Sequence, residues 1–404
     1  MNGIPKSLRR TIVLAGRGNV GKSTLLNYIA GQDVAIASPV VGTTTDPVEK
    51  SMELRPLGPV LFIDTAGLDD ATGLGEARRA RSNAALERAD VTVLVARPDQ
   101  WGEFERSMAE GRRGGFAVVF SHAGSCPVPA EIAEWLTERK IGFIAYDAER
   151  CSPEERSAFL DRFTALAAAA LPEEDAPPLL GDLVKPGDHL VMIVPVDIQA
   201  PRGRLILPQQ QCLRDALDHD CSVTVCKAAE YPAVLKNFRV PPALVICDSQ
   251  VVMEMVRDTP AGVPCTTFSI LFSRLKGDMA LLRKGVEALK TLRDGDRVLV
   301  AEACTHHASC EDIGRVKIPR MLAAALGTKL EFDFVSGHDF PADPGAYRVI
   351  VHCGSCMLNR RETLHRLNRA AASGVPVVNY GMLISFCQGV LERVMEPFDA
   401  ARRD

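Results

Sequence analysis

No apolar run in this 404-residue chain approaches the roughly 20 residues that a membrane-spanning helix requires, so no helical span is expected. Positive charge is not in excess either. The net charge of −4 gives no chain-wide attraction for a phosphate backbone, and nucleic acid is not an expected partner. There is no internal repeat, and no low-complexity tract beyond one short acidic, proline-rich stretch. The opening MNGIPKSLRRTIVLAG is basic, but its apolar part is short and runs straight into a glycine-rich loop. It reads as a first strand and not as a signal peptide, which predicts a cytoplasmic protein.

What is present suits a globular protein of two or three domains, since a single core rarely serves a chain this long. Twelve cysteines is a high count for a reducing compartment, where structural disulfides are opposed. Cys212, Cys226, Cys247 and Cys265 each stand alone in apolar surroundings and read as small core residues. Cys304, Cys310, Cys353 and Cys356 are grouped differently and need another account.

Three segments follow in order. Residues 1–170 alternate apolar strands (TIVLAG, VLFIDTAG, DVTVLVA, FAVVFS) with helical stretches, the pattern of a parallel α/β sheet. Residues 171–181, LPEEDAPPLLG, read as a linker. Residues 182–276 carry strands near HLVMIVPVD, SVTVCKA and PALVICD. Residues 277–404 repeat an αβ unit and again suggest a parallel, Rossmann-like sheet.

The strongest motif is Gly16-Arg17-Gly18-Asn19-Val20-Gly21-Lys22-Ser23, a full P-loop pattern between a strand and a helix. Its glycines let backbone N–H groups face phosphates, with the helix N-terminus adding positive potential. Lys22 is expected to bridge the β- and γ-phosphates, and Ser23 to ligate Mg²⁺. Asn19, Val20, Gly21 and Thr24 complete the nucleotide loop. Gly42-Thr43-Thr44-Thr45-Asp46-Pro47 has the character of a switch loop, with Thr43 and Thr44 sensing Mg²⁺ and the γ-phosphate. Asp64-Thr65-Ala66-Gly67 ends an apolar strand, so Asp64 is the expected carboxylate on the Mg²⁺ side and Gly67 lies beside the phosphates.

Through GRGNVGKST, GTTTDP and DTAGLDD the first segment resembles the TrmE/Era-like GTPases. That resemblance implies GTP as the nucleotide, Lys22, Thr44 and Asp64 in hydrolysis, and a potassium ion held near Asn19. Leu68 stands where Ras-like proteins have a water-orienting glutamine, which points to slow hydrolysis. One departure matters. GTPases read guanine with an Asn-Lys-x-Asp motif, and here the strand FAVVF is followed by Ser121-His122-Ala123-Gly124, with Gly124 at the aspartate position. A missing base-reading carboxylate forfeits on the order of 1–3 kcal/mol of discrimination, which leaves the base preference open.

Cys304-Thr305-His306 ends the strand DRVLVAEA, and His352-Cys353-Gly354-Ser355-Cys356 ends the strand YRVIV. Ligands gather beyond the carboxyl ends of parallel strands, so neighbouring strands would bring these groups into one crevice. Three thiolates plus an optional fourth donor suit a [4Fe–4S] cluster with one exchangeable iron. A structural zinc site of three cysteines and a histidine fits the same spacing. His307 and Cys310 read as solvated or structural neighbours.

The pattern Cys-x-His, a spacer, then His-Cys-x-x-Cys resembles the HydF family of [FeFe]-hydrogenase maturation factors. EACTHHASCEDIGRVKIPR, VHCGSCMLNRRE and GVPVVNYG resemble it around the cysteines, and PRGRLILPQQQCLRDALDHDC, PPALVICDSQ and TTFSILFSRLKGD in the middle segment. The resemblance implies a dimerisation domain at 182–276 and a cluster-binding domain at 277–404. It also implies Cys304, Cys353 and Cys356 as cluster ligands, with His306 or His352 as a labile fourth. Such proteins act as a homodimeric, or tetrameric, carrier that receives a diiron precursor from radical-SAM maturases and passes it to apo-[FeFe]-hydrogenase. Two other readings stay open: a TrmE/Era-like GTPase of RNA or ribosomes with a structural metal module, and a scaffold paralogue with impaired guanine recognition.

Overall fold

The computed structural model describes residues 9–31, 48–55, 57–69, 75–112, 114–147, 152–172, 177–196, 205–303, 312–337 and 339–400. They fall into two compact units, Met1–Glu174 and Asp175–Asp404.

The first unit is one six-stranded sheet. Its strands are β1 (Arg10–Ala15), β2 (Val48–Leu54), β3 (Gly58–Asp64), β4 (Val91–Ala96), β5 (Gly115–Phe120) and β6 (Gly142–Ala145), in the order β2-β3-β1-β4-β5-β6. Every pairing is parallel except β2 with β3, whose short connection permits only an antiparallel hairpin. β4 and β5 are buried along their whole length, which is why they read as continuous apolar runs and not as alternating ones. The half-exposed, charged β2 (VEKSMEL) lies at the edge, where polar side chains suit solvent.

Register sets the functional rim. Leu14 pairs with Asp64, Ala15 with Leu94, Ala96 with Phe120, and Phe120 with Ala145. The ends of β3, β1, β4, β5 and β6 therefore line one edge in that order.

The second unit holds two parallel four-stranded sheets. One comprises β7 (His189–Ile193), β8 (Ser222–Cys226), β9 (Leu244–Cys247) and β10 (Cys265–Thr267), in the order β10-β9-β7-β8. The other comprises β11 (Arg297–Ala301), β12 (Glu331–Val335), β13 (Val349–His352) and β14 (Val377–Asn379), in the order β12-β11-β13-β14. A single apolar core runs through both, from Leu190, Val245 and Cys247 to Val300, Val351 and Val378. The four solitary cysteines are part of it. Burial pushes the Cys212 and Cys247 thiols well up, and those of Cys226 and Cys265 to about 11, so all four stay protonated and inert.

The helical stretch after β11 opens on an irregular turn. A π-helical turn, Ile313–Lys317, comes first, opened by the Asp312 side chain accepting from Arg315 N at 2.8 Å, and the α-helix runs Ile318–Leu326. Pro319 sits in its first turn, where no backbone donor is required.

No helix among the described residues is long and apolar enough to cross a membrane.

Candidate functional site

The chain leaves β1 into Gly16–Gly21 and enters the helix Lys22–Ala30. Gly16 has φ +146°, and a Cβ there would stand 2.3 Å from the Val95 carbonyl oxygen on β4, so only glycine lets the loop pass that strand. Asn19 and Gly21 also take positive φ, 58° and 93°, and with them the loop curls round the helix N-terminus. Lys22 lies at its centre. Its Nζ donates to the Gly16 carbonyl at 3.2 Å and the Arg17 carbonyl at 2.5 Å, and burial lowers its pKa against the opposing pull of Asp64 and Asp69.

Asp64 ends β3 fully buried, and Ser23 Oγ donates to its Oδ2 at 2.5 Å. Burial raises its pKa, while the Ser23 hydrogen bond and the Lys22 charge work the other way. Its second oxygen, Oδ1, is buried with no hydrogen-bond partner among the described residues. An orphaned carboxylate oxygen beside a serine hydroxyl fits a hard divalent cation such as Mg²⁺, because leaving it unsatisfied costs about 1–3 kcal/mol. Gly67 and Asp69 complete this side: Leu68 N donates to the Gly16 carbonyl, and Gly18 N to Asp69 Oδ1 at 2.7 Å. Val20 is buried and Thr24 half-buried in the helix's first turn. Thr43 and Thr44 lie outside the described residues.

Tertiary contacts that no motif announced hold this loop. Arg17 pairs with the buried Glu105 at 2.7 Å, and its guanidinium lies over Phe104. The Ser121 hydroxyl, buried at the end of β5, donates to the Val20 carbonyl at 2.7 Å, and Tyr146 Oη, beyond β6, donates to the Gly21 carbonyl at 3.3 Å. Ser121 thus retains a role at the phosphate loop although the Asn-Lys-x-Asp pattern is missing. A net worth of about 1 kcal/mol for such a buried bond suffices to bias the loop.

The cysteine rim belongs to the second unit. β11 and β13 are parallel neighbours with Ala301 opposite His352, so the ends of the two predicted ligand strands meet. Cys353 N donates to the Ala301 carbonyl, and Ala303 N donates to Cys353 Sγ at 3.0 Å. Burial raises the Cys353 pKa, and a backbone hydrogen bond from Ser355 opposes that rise. Residues 304–311, with Cys304, His306, His307 and Cys310, lie outside the described residues. Both flanks of that stretch are anchored: Ala303 as above, and Arg315 by Glu302, whose Oε2 lies 3.7 Å from the guanidinium while Tyr380 Oη donates to Oε1 at 3.4 Å. Among the described residues no group of three or more His, Cys, Asp or Glu side chains is placed to hold a metal ion; of the three predicted ligand thiols, Cys353 and Cys356 are described.

A residue that the motifs did not flag organises this pair. Lys276, buried at the end of the helix Phe268–Lys276, donates to the Ser355 carbonyl at 2.8 Å and the Leu358 carbonyl at 2.7 Å, pinning the Cys353–Cys356 loop. Ser355 is held at φ 55°, which such pinning sustains. Burial lowers Lys276 to about 8, against the favourable pull of the two cysteines. Burial pushes Cys353 up to about 11 and raises Cys356, which Lys276 draws back down. Thiols held protonated by burial, yet ringed by N–H donors and an ammonium, fit a soft metal centre that displaces their protons on binding. His352 is neutral, its pKa lowered to about 4 by burial and then by Arg366. Its Nδ1 lies 2.9 Å from the Cys353 carbonyl, so that nitrogen carries the proton, and Nε2 is buried with no hydrogen-bond partner among the described residues.

Three family profiles match the chain. The 50S ribosome-binding GTPase profile covers residues 11–119, the hydrogen maturase F dimerization domain covers residues 179–277, and the hydrogen maturase F tetramerization domain covers residues 279–397. The tRNA modification GTPase MnmE of Zymomonas mobilis is 44% identical over 90 residues, which is 22% of this chain and 20% of that protein. MnmE of Herminiimonas arsenicoxydans is 51% identical over 86 residues, 20% of this chain and 18% of that protein. The chain thus spans about a fifth of the length of these curated relatives. Among solved structures, Era in complex with MgGDPNP and a 16S ribosomal RNA segment aligns with TM-score 0.34 and 20% identity, over 54% of this chain and 93% of that one. The G domain of the T. maritima FeoB iron transporter aligns with TM-score 0.29 and 20% identity, over 38% of this chain and 98% of that one.

Proposed function

Because the chain belongs to the hydrogen maturase F family, whose two domain profiles together span more than half of it, we propose that it is a maturation factor for [FeFe]-hydrogenase that couples a nucleotide switch to a metal-cluster platform. The observation that carries this reading is the Cys353–Cys356 loop at the end of β13, with the chain leaving β11 hydrogen-bonded to the Cys353 sulfur one residue before Cys304. Cys304, Cys353 and Cys356 would hold a [4Fe–4S] cluster in this proposal, with His306 or His352 as a labile fourth ligand. The bound cluster supplies an iron corner at which a ligand exchanges. Cys353 accepts backbone N–H groups that favour its thiolate, Lys276 fixes the loop between the two described ligands, and a buried, neutral His352 adds no charge. The cargo is a diiron precursor, received from radical-SAM maturases and handed to the apo-hydrogenase by a homodimer or tetramer.

In the first unit Lys22 neutralises the β- and γ-phosphates of GTP, Ser23, Thr44 and Asp64 hold Mg²⁺, and hydrolysis relaxes the loops that contact partners. Bound Mg²⁺ supplies charge at the transferred phosphate. Leu68 offers no water-orienting amide, so turnover is slow. A potassium ion near Asn19 is expected to speed it, and several-fold faster phosphate release in potassium than in sodium chloride is the predicted result. Equal rates would remove the ion from the mechanism.

The deciding experiment reconstitutes the chain anaerobically with iron and sulfide, loads it with the radical-SAM maturases, and adds apo-[FeFe]-hydrogenase. Hydrogen evolution that depends on the loaded chain is expected. A chain that takes up only zinc, or that loads and activates nothing, overturns the proposal.

A further inference from the structure

The position where a guanine-reading carboxylate belongs in this fold is Gly124, four residues past the end of β5, and the space beside it is already taken. A Cβ built on Gly124 would stand 1.8 Å from Asp147 Oδ2 and 3.0 Å from Asp147 Cγ. The carboxylate of Asp147, two residues beyond β6, therefore fills the volume into which a side chain at position 124 would grow. β5 and β6 are parallel neighbours, with Phe120 opposite Ala145, so their following turns run side by side. Tyr146 N donates to the Phe120 carbonyl at 2.9 Å, and Ala123 N to the Tyr146 carbonyl at 3.2 Å. Both turns are also tied to the phosphate loop, Ser121 to the Val20 carbonyl and Tyr146 to that of Gly21.

We propose that Asp147 is the base-reading residue of this nucleotide site: the carboxylate has moved from the turn after β5 to the turn after β6, and Gly124 is its counterpart, glycine because the space is occupied. An ionised carboxylate only accepts hydrogen bonds. Guanine offers two adjacent donors, N1–H and the 2-amino group, which one carboxylate takes together. Adenine presents an unprotonated N1 at the same edge, so acceptor would face acceptor. The geometry thus selects guanine without the usual motif. This assignment rests on the nucleotide-site reading above.

The test uses the full chain with Mg²⁺ and fluorescently labelled GDP, XDP and ADP. The unaltered protein should rank GDP first. Asp147→Asn presents an amide that donates to the 2-oxo group of xanthine, so GDP affinity should fall and XDP affinity rise, each roughly tenfold or more, as expected for charge-assisted bonds. The gain for XDP cannot come from misfolding. An unchanged ranking in Asp147→Asn, or loss of both nucleotides with no gain for XDP, overturns the base assignment while leaving the phosphate site standing. An unaltered protein that binds none of the three sinks the phosphate site, and the assignment with it.

Discussion

Replacing Lys22 by alanine is expected to weaken binding of MgGTP by about 100-fold or more and to abolish its hydrolysis. Hydrogen bonds from an ammonium to phosphate oxygens contribute about 1.5–3 kcal/mol each, and two such bonds exceed a hundredfold in affinity. The ammonium already stands at the centre of the loop, directed by the Gly16 and Arg17 carbonyls, so it needs little reorganisation to meet a ligand. The substitution also removes a cation that partly offsets the burial of Asp64, so that carboxyl should hold its proton more readily and support Mg²⁺ less well. Titration of labelled GTP measures the effect, with circular dichroism to verify the fold. Near-normal affinity in a folded Lys22→Ala protein would show that this loop is not a phosphate site.

The second large effect concerns sulfur. Cys353→Ser should reduce iron and sulfide retained after anaerobic reconstitution to the level of a chain lacking all the proposed ligand thiols, and remove the paramagnetic signal of the reduced cluster. Serine matches the shape and keeps the Ala303 donor, so the change falls on the donor atom, and an alkoxide is a harder and poorer partner for iron than a thiolate. Cys212→Ser is the matched control. That thiol is fully buried in the core among apolar neighbours, so its loss should lower stability but leave iron content unchanged. If Cys353→Ser keeps its iron while folded, the ligand assignment is wrong.

The contrast between these cysteines was legible along the chain. Core thiols stand alone inside apolar strands and helices, whereas Cys353 and Cys356 follow a strand end with glycine and serine between them. The continuous apolar runs of β1, β4 and β5 likewise announced central parallel strands. The antiparallel β2 was not announced, because VEKSMEL is an edge strand whose polar residues dilute its signal. Nor did the sequence reveal that the two C-terminal segments share one core, since which apolar faces meet is decided by packing and not by either segment's own periodicity.

The residues on their own determined the phosphate loop, the Asp64 strand end and the paired cysteines. Each of these needs particular side chains at fixed short spacing, and short spacing is preserved wherever the strand lies. Only the tertiary structure decided that Ser121 braces the Val20 carbonyl, that Lys276 pins the loop between Cys353 and Cys356, and that Asp147 occupies the space beside Gly124. These partners are separated by 23 to 101 positions along the chain. Their meeting depends on which strands lie side by side in the sheet and on the turns beyond their ends, and no local pattern encodes that order.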